Sequence, residues 1–444
     1  MKLKLVVASM SILGLISSPA FAEHQTKHTH HKKIHKTVVV KQDNKEIVAL
    51  PVEPVAVVVS TEPNVDTYQT ILDDMYHNTG RAKPMADWFN RIGVSGGANF
   101  DVKWGNRRPI YRTENVNSLA LNDAYVNFNA TANEWTKAFA SVNFANPSVN
   151  YSSVYRVNSV TLEQGFVTVG NFDVCPLFLQ VGKQFQDFGR YVIHPLNRTL
   201  AQSLSESLAT SIDLGYINNM GFHGSVYAFG DKLTIAGDTH PRNVYGASIG
   251  FAQPNDQLGF DVGLGYMSNM TGVNDVAVIL SNPIHLVGAL SAYGDVNSGP
   301  FTLGARYTTA IQHFSAVDIN TNASCSPQGV ALLTCERTSL DPAVPLLGKG
   351  TGSGAQPWAA DLTAGYGFNA MSKNQNIYLG YQASGDAVNL ALPRGRILAG
   401  YNVDVWKYTN IGLEYTHDYS YSVSRGGAGG TTNTVGLRGA VKLG

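Results

Sequence analysis

Apolar and polar side chains alternate along most of the chain in stretches of about ten residues, the period-two signature of strands with two unlike faces. Phe260, Val262, Leu264 and Tyr266 fall on one face, while Gly259, Asp261, Gly263 and Gly265 fall on the other. Trp358, Ala360, Leu362, Ala364, Tyr366 and Phe368 repeat the pattern, as do Ile411, Leu413 and Tyr415. An apolar face that ends in aromatics is what lipid requires of a spanning strand. The pattern predicts strands over 92–104, 118–130, 135–144, 157–168, 177–187, 206–216, 221–229, 244–253, 258–268, 284–295, 301–309, 358–368, 376–385, 396–405, 409–419 and 434–443. That makes about sixteen strands, with about fourteen or eighteen as the alternatives.

The connectors carry a second pattern. Thr131–Glu134, Ile217–Met220, Pro254–Gln257, Asn297–Pro300 and Trp406–Tyr408 are tight. Between them fall Gly105–Asn117, Gly189–Ser205, Asn269–Pro283, Ala310–Pro357 and Tyr421–Asn433, which are long. Long and short taking turns fits extracellular loops and periplasmic turns. An even strand count returns both chain ends to the periplasm. A soluble β-sandwich or solenoid also alternates, but it needs neither aromatics at both ends of its outward faces nor such regular connectors. The predicted fold is all-β: a transmembrane, antiparallel, up-and-down β-barrel over 92–444, following an N-terminal extension.

That extension divides by composition. Residues 1–22 read as a secretory signal, with Lys2 and Lys4, an apolar Leu5–Ile16 and the cleavage site Ala20-Phe21-Ala22. A membrane-retained first helix is the rival, but its apolar run is short for a span. Residues 23–63 are a His/Lys-rich tail expected to be disordered, then a linker carrying Pro51, Pro54 and Pro63. Residues 64–91 form a short periplasmic segment in which Asp66–His77 has the spacing of one helix. A barrel plug is the other use of that helix, though a dozen residues fill little. Beyond the signal no run approaches the ~18 apolar residues of a helical span.

Charge sharpens the picture. Only 14% of residues are charged and the formal net charge is zero, which gives no reason to expect nucleic acid. A Lys or Arg on a lipid face costs about 2–4 kcal/mol at mid-membrane, so strand charges belong to the polar phase. Asp101, Lys103, Asp123, Glu163, Asp213, Asp261, Arg306, Asp361, Arg396, Asp404, Glu414, Arg438 and Lys442 obey this and become candidate lumen residues. Acids outnumber bases in that set, which leans toward cation preference. Lys183 breaks the rule, sharing its phase with Leu179 and Val181; snorkelling at a rim or a bulge would explain it.

A barrel of ~16 strands leaves an aqueous channel. Arg190, His194 and Arg198, around the Pro195 kink, make the connector after the fifth strand a candidate constriction loop; an ordinary surface loop is the alternative. Arg394 and Arg396 beside Pro393 form a second basic cluster, either at a strand mouth or anchored to anionic lipopolysaccharide. Cys325 and Cys335 lie close together in one long polar connector and are expected to pair in an oxidising compartment, leaving Cys175 over. His24, His28, His30, His31 and His35 are the one metal-like constellation. Loose Zn, Cu or Ni binding, a pH-sensitive tail, and contact with peptidoglycan or anionic lipid are its competing uses. No nucleophile elbow, zincin helix or phosphate loop appears, so neither catalysis nor a cofactor is expected.

The run Glu163-Gln164-Gly165-Phe166-Val167-Thr168-Val169-Gly170-Asn171-Phe172 leads into Cys175-Pro176-Leu177-Phe178-Leu179-Gln180-Val181-Gly182-Lys183-Gln184-Phe185-Gln186-Asp187-Phe188-Gly189. This stretch resembles the outer-membrane porin family of Legionella and Coxiella that includes the legiobactin siderophore receptor. The likeness runs from about Trp88 to the end. It implies a sixteen-strand barrel with a periplasmic N-terminal extension, and siderophore uptake. Two features depart from the family: the extension is a His/Lys tail without a coiled-coil pattern, and the last strand ends Val441-Lys442-Leu443-Gly444 without a terminal aromatic.

The leading expectation is thus an outer-membrane porin passing small hydrophilic solutes, ferric siderophores among them. A dedicated plug-less siderophore receptor comes next, then a surface adhesin or structural barrel with a closed lumen. Expected partners are outer-membrane lipid and lipopolysaccharide, the solute itself and, as an open question, further copies of the chain.

Overall fold

The computed structural model describes residues 92–105, 116–145, 159–172, 174–191, 195–218, 220–231, 242–253, 258–280, 283, 286–314, 355–390, 392–422, 425 and 429–443. The signal, tail, linker and Asp66–His77 helix of the sequence reading lie outside them, as do His194, Cys325 and Cys335.

Sixteen antiparallel strands close on themselves, each hydrogen-bonded to its neighbours in sequence and the first to the last. They are β1 (Ile92–Gly105), β2 (Val116–Thr131), β3 (Thr136–Ala145), β4 (Ser159–Gly170), β5 (Leu177–Phe185), β6 (Leu208–Ile217), β7 (Phe222–Gly230) and β8 (Asn243–Gln253). The second half is β9 (Gly259–Met267), β10 (Ala289–Ser298), β11 (Phe301–Ala310), β12 (Trp358–Ala370), β13 (Lys373–Gly385), β14 (Gly395–Trp406), β15 (Thr409–Tyr419) and β16 (Thr431–Leu443). Closure leaves no unpaired sheet edge, the condition hydrocarbon imposes on a sheet.

The alternation read from the sequence separates outside from inside. Phe100, Leu119, Ile212, Leu214, Leu264, Leu362, Leu379 and Leu413 are exposed on the outer face, while Asp101, Asp213, Asp261, Asp361 and Glu414 are buried on the inner one. Aromatics gather at both rims. Phe222, Phe251 and Phe260 touch at the short-turn rim, with ring centres 4.8 and 5.5 Å apart, and Phe301 meets Tyr366 there at 5.0 Å. Tyr307 and Trp358 meet near the long-loop rim at 6.3 Å.

Bulges adjust the phase. Ser141 pairs with Gln164 and Val142 with Leu162, so Glu163 is the extra residue of β4. Outward positions are Val160 and Leu162 before the bulge, Val167 and Val169 after it. Pairing of β4 with β5 stops at Gly165 and Lys183. Lys183 stands on the outer face, as its phase predicted, and its Nζ donates to the Leu162 carbonyl at 2.6 Å. The misfit thus bridges the place where the β4–β5 pairing ends.

Three expectations need correction. The strand predicted from 284 begins at Ala289, because the preceding connector folds inward as a 3-10 turn, Met270–Gly272, and a helix. The strand predicted through 187 stops at Phe185. Two long connectors carry helices that period-two reading did not predict: α1 (Leu200–Ser205) after β5 and α2 (Asn274–Ile279) after β9. Thr199 caps α1, its side chain accepting from the Gln202 amide.

These inward segments bring their own core. Phe188, Leu200 and Leu204 pack with Met270, Val273, Val276 and Leu280, and with Phe229, Val244, Met267 and Phe314 nearby. Apolar burial, worth about 25 cal/mol per Å², therefore holds loops inside a barrel whose wall faces outward to lipid.

Candidate functional site

The described residues of the connector after β5, Gln186–Tyr191 and Pro195–Ser207, lie inside the barrel, away from the wall they leave. At its start, the Ser248 hydroxyl donates to Asp187 and the Phe188 backbone packs over Gly265. Arg190 then reaches Asp261 on β9 at 2.7 Å and lies over the Tyr293 ring, 5.0 Å from its centre. His223 meets the other oxygen of Asp261 at 3.2 Å. Arg306 on β11 donates to the carbonyls of Arg190 (2.7 Å) and Tyr191 (3.3 Å) while paired with Asp295 on β10 at 2.6 Å. Loop backbone and loop cation are thus clamped by one wall.

The tip is held by the opposite wall. Glu414 on β15 accepts from the Leu196 amide (2.7 Å), the Asn197 side-chain amide (2.5 Å) and the Tyr378 hydroxyl (2.8 Å). Lys103 on β1 donates to Asn197 Oδ1 at 2.6 Å. A carboxylate with several donors is well satisfied in burial, and charge-assisted bonds are the stronger kind. Tyr378 reaches Glu414 by lying across Gly400, its direct partner on β14; a Cβ there would run into the ring.

Past the tip, Arg198 pairs with Asp275 of the second inward segment at 2.6 Å and with Glu206 at 3.0 Å. Burial works against its charge, but Asp275 and then Glu206 outweigh it and hold the guanidinium protonated. Asp361 on β12 accepts from the Ala201 amide at 3.1 Å, at the start of α1. Arg396 on β14 donates to the Arg198 carbonyl at 3.3 Å.

The sequence-derived candidates can now be placed. Arg190 and Arg198 sit in the inward loop, and Lys103, Asp261, Arg306, Asp361, Arg396 and Glu414 hold it. Arg438 lies beside this set, bidentate to Asp101 at 2.7 and 2.8 Å. Asp123 accepts from Asn99 at 2.8 Å, and Glu163 faces Ser141 at the bulge. Asp213 is fully buried behind the loop, in register with Gln180. The pair Arg394 and Arg396 is split: Arg394 is exposed at the rim, while Arg396 turns inward to Asp418 at 2.6 and 3.0 Å. Among the described residues Cys175 is a free thiol.

Sequence reading missed Asp295, Asp418, Tyr293 and Tyr378. The two acids sit in the polar phase of their strands, so that signal was present. The two tyrosines break the phase, since aromatics were expected to face lipid. Each lies opposite a glycine, Gly263 for Tyr293 and Gly400 for Tyr378. Phe178 opposite Gly215 and Tyr227 opposite Gly246 repeat the device.

A closed sixteen-strand barrel with a loop drawn across its lumen defines the porin fold. No family model matches the chain. It is similar to a UPF0422 protein of Coxiella burnetii, 26% identical over 340 residues, covering 75% of this chain and 65% of that protein. A UPF0422 protein of Legionella pneumophila is 24% identical over 354 residues, covering 75% of this chain and 60% of the relative. The chain thus spans less than two thirds of the length of these relatives. Among solved structures, the anion-selective porin from Comamonas acidovorans superposes with a TM-score of 0.50 at 10% identity, over 79% of this chain and 99% of that one. That likeness concerns the fold alone.

Proposed function

We propose that the chain is an outer-membrane porin that passes small hydrophilic solutes through a lumen narrowed by the Gln186–Ser207 loop. The observation that carries this reading is the clamp: charged and polar groups of opposite walls hold one loop across the lumen. A loop held on both sides narrows a channel without closing it by collapse, and pore width with lumen charge sets which solutes pass. The outward aromatic rims support an outer-membrane location.

Ferric siderophores belong to the proposed solutes. The resemblance to the Legionella and Coxiella porin family supports this. The same resemblance favours the second reading, a dedicated plug-less siderophore receptor. In either case 1–22 is removed, 23–91 extends into the periplasm, and lipopolysaccharide surrounds the outer leaflet. A Cys325–Cys335 bridge completes the proposal; both thiols are expected to resist alkylation in untreated cells until reduced.

Planar-bilayer recording of the refolded protein tests the main reading. Stable open-channel steps in KCl are expected. Silence with saturable binding of an iron chelate favours the receptor, and silence with host-cell binding favours an adhesin.

A further inference from the structure

We propose that Asp213 and Asp187, with the side-chain carbonyls of Gln180, Gln184 and Gln186, bind a calcium ion that ties the root of the inward loop to the barrel wall. The inference goes beyond the porin reading and stands whether or not the barrel conducts.

Asp213 on β6 stands apart from the other acids of the inner face. Asp101, Asp261, Asp295 and Asp418 each face an arginine, and Glu414 and Asp361 accept backbone amides. Asp213 is fully buried, yet neither of its oxygens has a hydrogen-bond partner. The Ser225 hydroxyl lies near it without completing a bond, and among the described residues the one charge acting on it is a second acid, Asp187. Asp187 opens the inward loop, is 5% exposed and accepts from the Ser248 hydroxyl. Arg190, three residues further on, turns away to Asp261. Two carboxylates at this depth repel each other, and buried charge requires a partner. A bound cation meets both requirements.

Register supplies further oxygens. Gln180 of β5 stands directly opposite Asp213, and Ser211 is the next inward residue of β6. Gln184 and Gln186 both donate Nε2 to the Ser211 hydroxyl, at 3.2 and 2.9 Å, and Gln180 donates its own to Thr168 at 2.9 Å. With the nitrogens so committed, the side-chain oxygens of all three glutamines are buried and without a partner. Carboxylates and amide carbonyls are hard oxygen donors, of which calcium takes roughly six to eight in flexible geometry. Magnesium holds its own waters and demands a strict octahedron, so the set favours calcium. Among the described residues no three His, Cys, Asp or Glu side chains converge, which does not match the nitrogen and sulfur sets of zinc or copper. Ser248, half-buried on the inner face, leaves a way in. The opposing feature is Arg190, whose guanidinium over the Tyr293 ring repels a cation from that side. Asp187 belongs to the loop and Asp213 to the wall, so one shared ion joins the two.

The test is ion binding by the refolded full chain, free of lipopolysaccharide and held in nonionic detergent. Tb3+ is the probe, because Tyr227 on β7 stands directly opposite Asp213 and can sensitise its luminescence. A saturable signal is expected that Ca2+ displaces well and Mg2+ poorly. The heat-modifiable form should also convert at a higher temperature in CaCl2 than in EDTA, since an ion that binds only the folded barrel stabilises it. Asp213→Asn should weaken Ca2+ binding about tenfold, because ligand charge sets calcium affinity. Gln180→Leu, which removes a neutral ligand, should weaken it less and serves where Asp213→Asn does not fold. Asp123→Asn, on β2, should leave binding unchanged. Absence of a saturable signal from the wild-type chain overturns the site, as does Ca2+ binding that survives intact in Asp213→Asn. A more stable Asp213→Asn barrel, with no calcium effect on the wild type, assigns a proton to Asp213 and also overturns it. None of these outcomes touches conductance, so the porin reading stands or falls separately in the bilayer.

Discussion

The barrel uses the same chemistry, arginine with aspartate, in two places and to two ends. On the wall of β9–β11, Arg190–Asp261 and Arg306–Asp295 are closed off from water on both sides of each pair. On the wall of β14–β16 and β1, Arg396–Asp418 and Arg438–Asp101 hide the acid and show the base. Distances do not distinguish them, since all four lie between 2.6 and 2.7 Å. Exposure does. A closed pair has given up its water and depends on its partner, so it works as a clamp. An open pair keeps part of its hydration.

The comparison breaks most visibly at Asp261. Asp261→Ala strands Arg190 in a closed site and is expected to cost about 3–5 kcal/mol. The drop should appear in the denaturation midpoint of the heat-modifiable form. Replacing both members, Arg190→Met with Asp261→Leu, should restore much of that loss, because a buried pair exchanged for apolar groups is often neutral. An unrecovered double variant would show that the clamp acts through something other than charge compensation.

Glu414→Gln comes next. It keeps the shape but removes the charge that gathers Tyr378, Leu196 and Asn197, at about 1.5–3 kcal/mol. The loop tip then loosens, and open-channel noise should rise while the strand content measured by circular dichroism holds. Arg438→Gln should cost only about 1 kcal/mol, since the pair is partly hydrated and Lys103 remains beside Asp101. Its readout is stability unchanged within that margin. A loss as large as that of Asp261→Ala would erase the distinction between the two walls. The smallest effect belongs to Lys183→Leu. A lysine near an interface is nearly neutral, within about 1 kcal/mol of its apolar replacement, so the unfolding midpoint should barely move.

Much of this was legible in the residues. The limits of β15, Thr409–Tyr419, are those the alternation predicts, and the inner acids of β1, β6, β9, β12 and β15 were placed by phase alone. Phase is a property of one strand. What escaped depends on two. Tyr378 faces inward because Gly400 lies opposite, and register across the sheet is not written in either strand separately. Ion-pair partners are hidden for the same reason: Asp101 and Arg438 are far apart in sequence and adjacent only after closure. The helices α1 and α2 escaped because six residues are too few to display a helical period. The residues around Pro195 left a constriction loop and an ordinary surface loop both open, because the acids that Arg190 and Arg198 meet, Asp261 and Asp275, lie far away in sequence.

The tip of the inward loop carries one further consequence. Leu196 and Asn197 come from the connector after the fifth strand, yet their acceptor stands on the fifteenth, and the lysine that completes the contact stands on the first. A chain inserting its strands in order has no place to fasten that tip until nearly all of them are laid down. The seam between first and last strands and the final fastening of the loop should therefore arrive together during biogenesis. A half-built barrel would carry an untethered strap, and only the finished cylinder would own a gauge of fixed width.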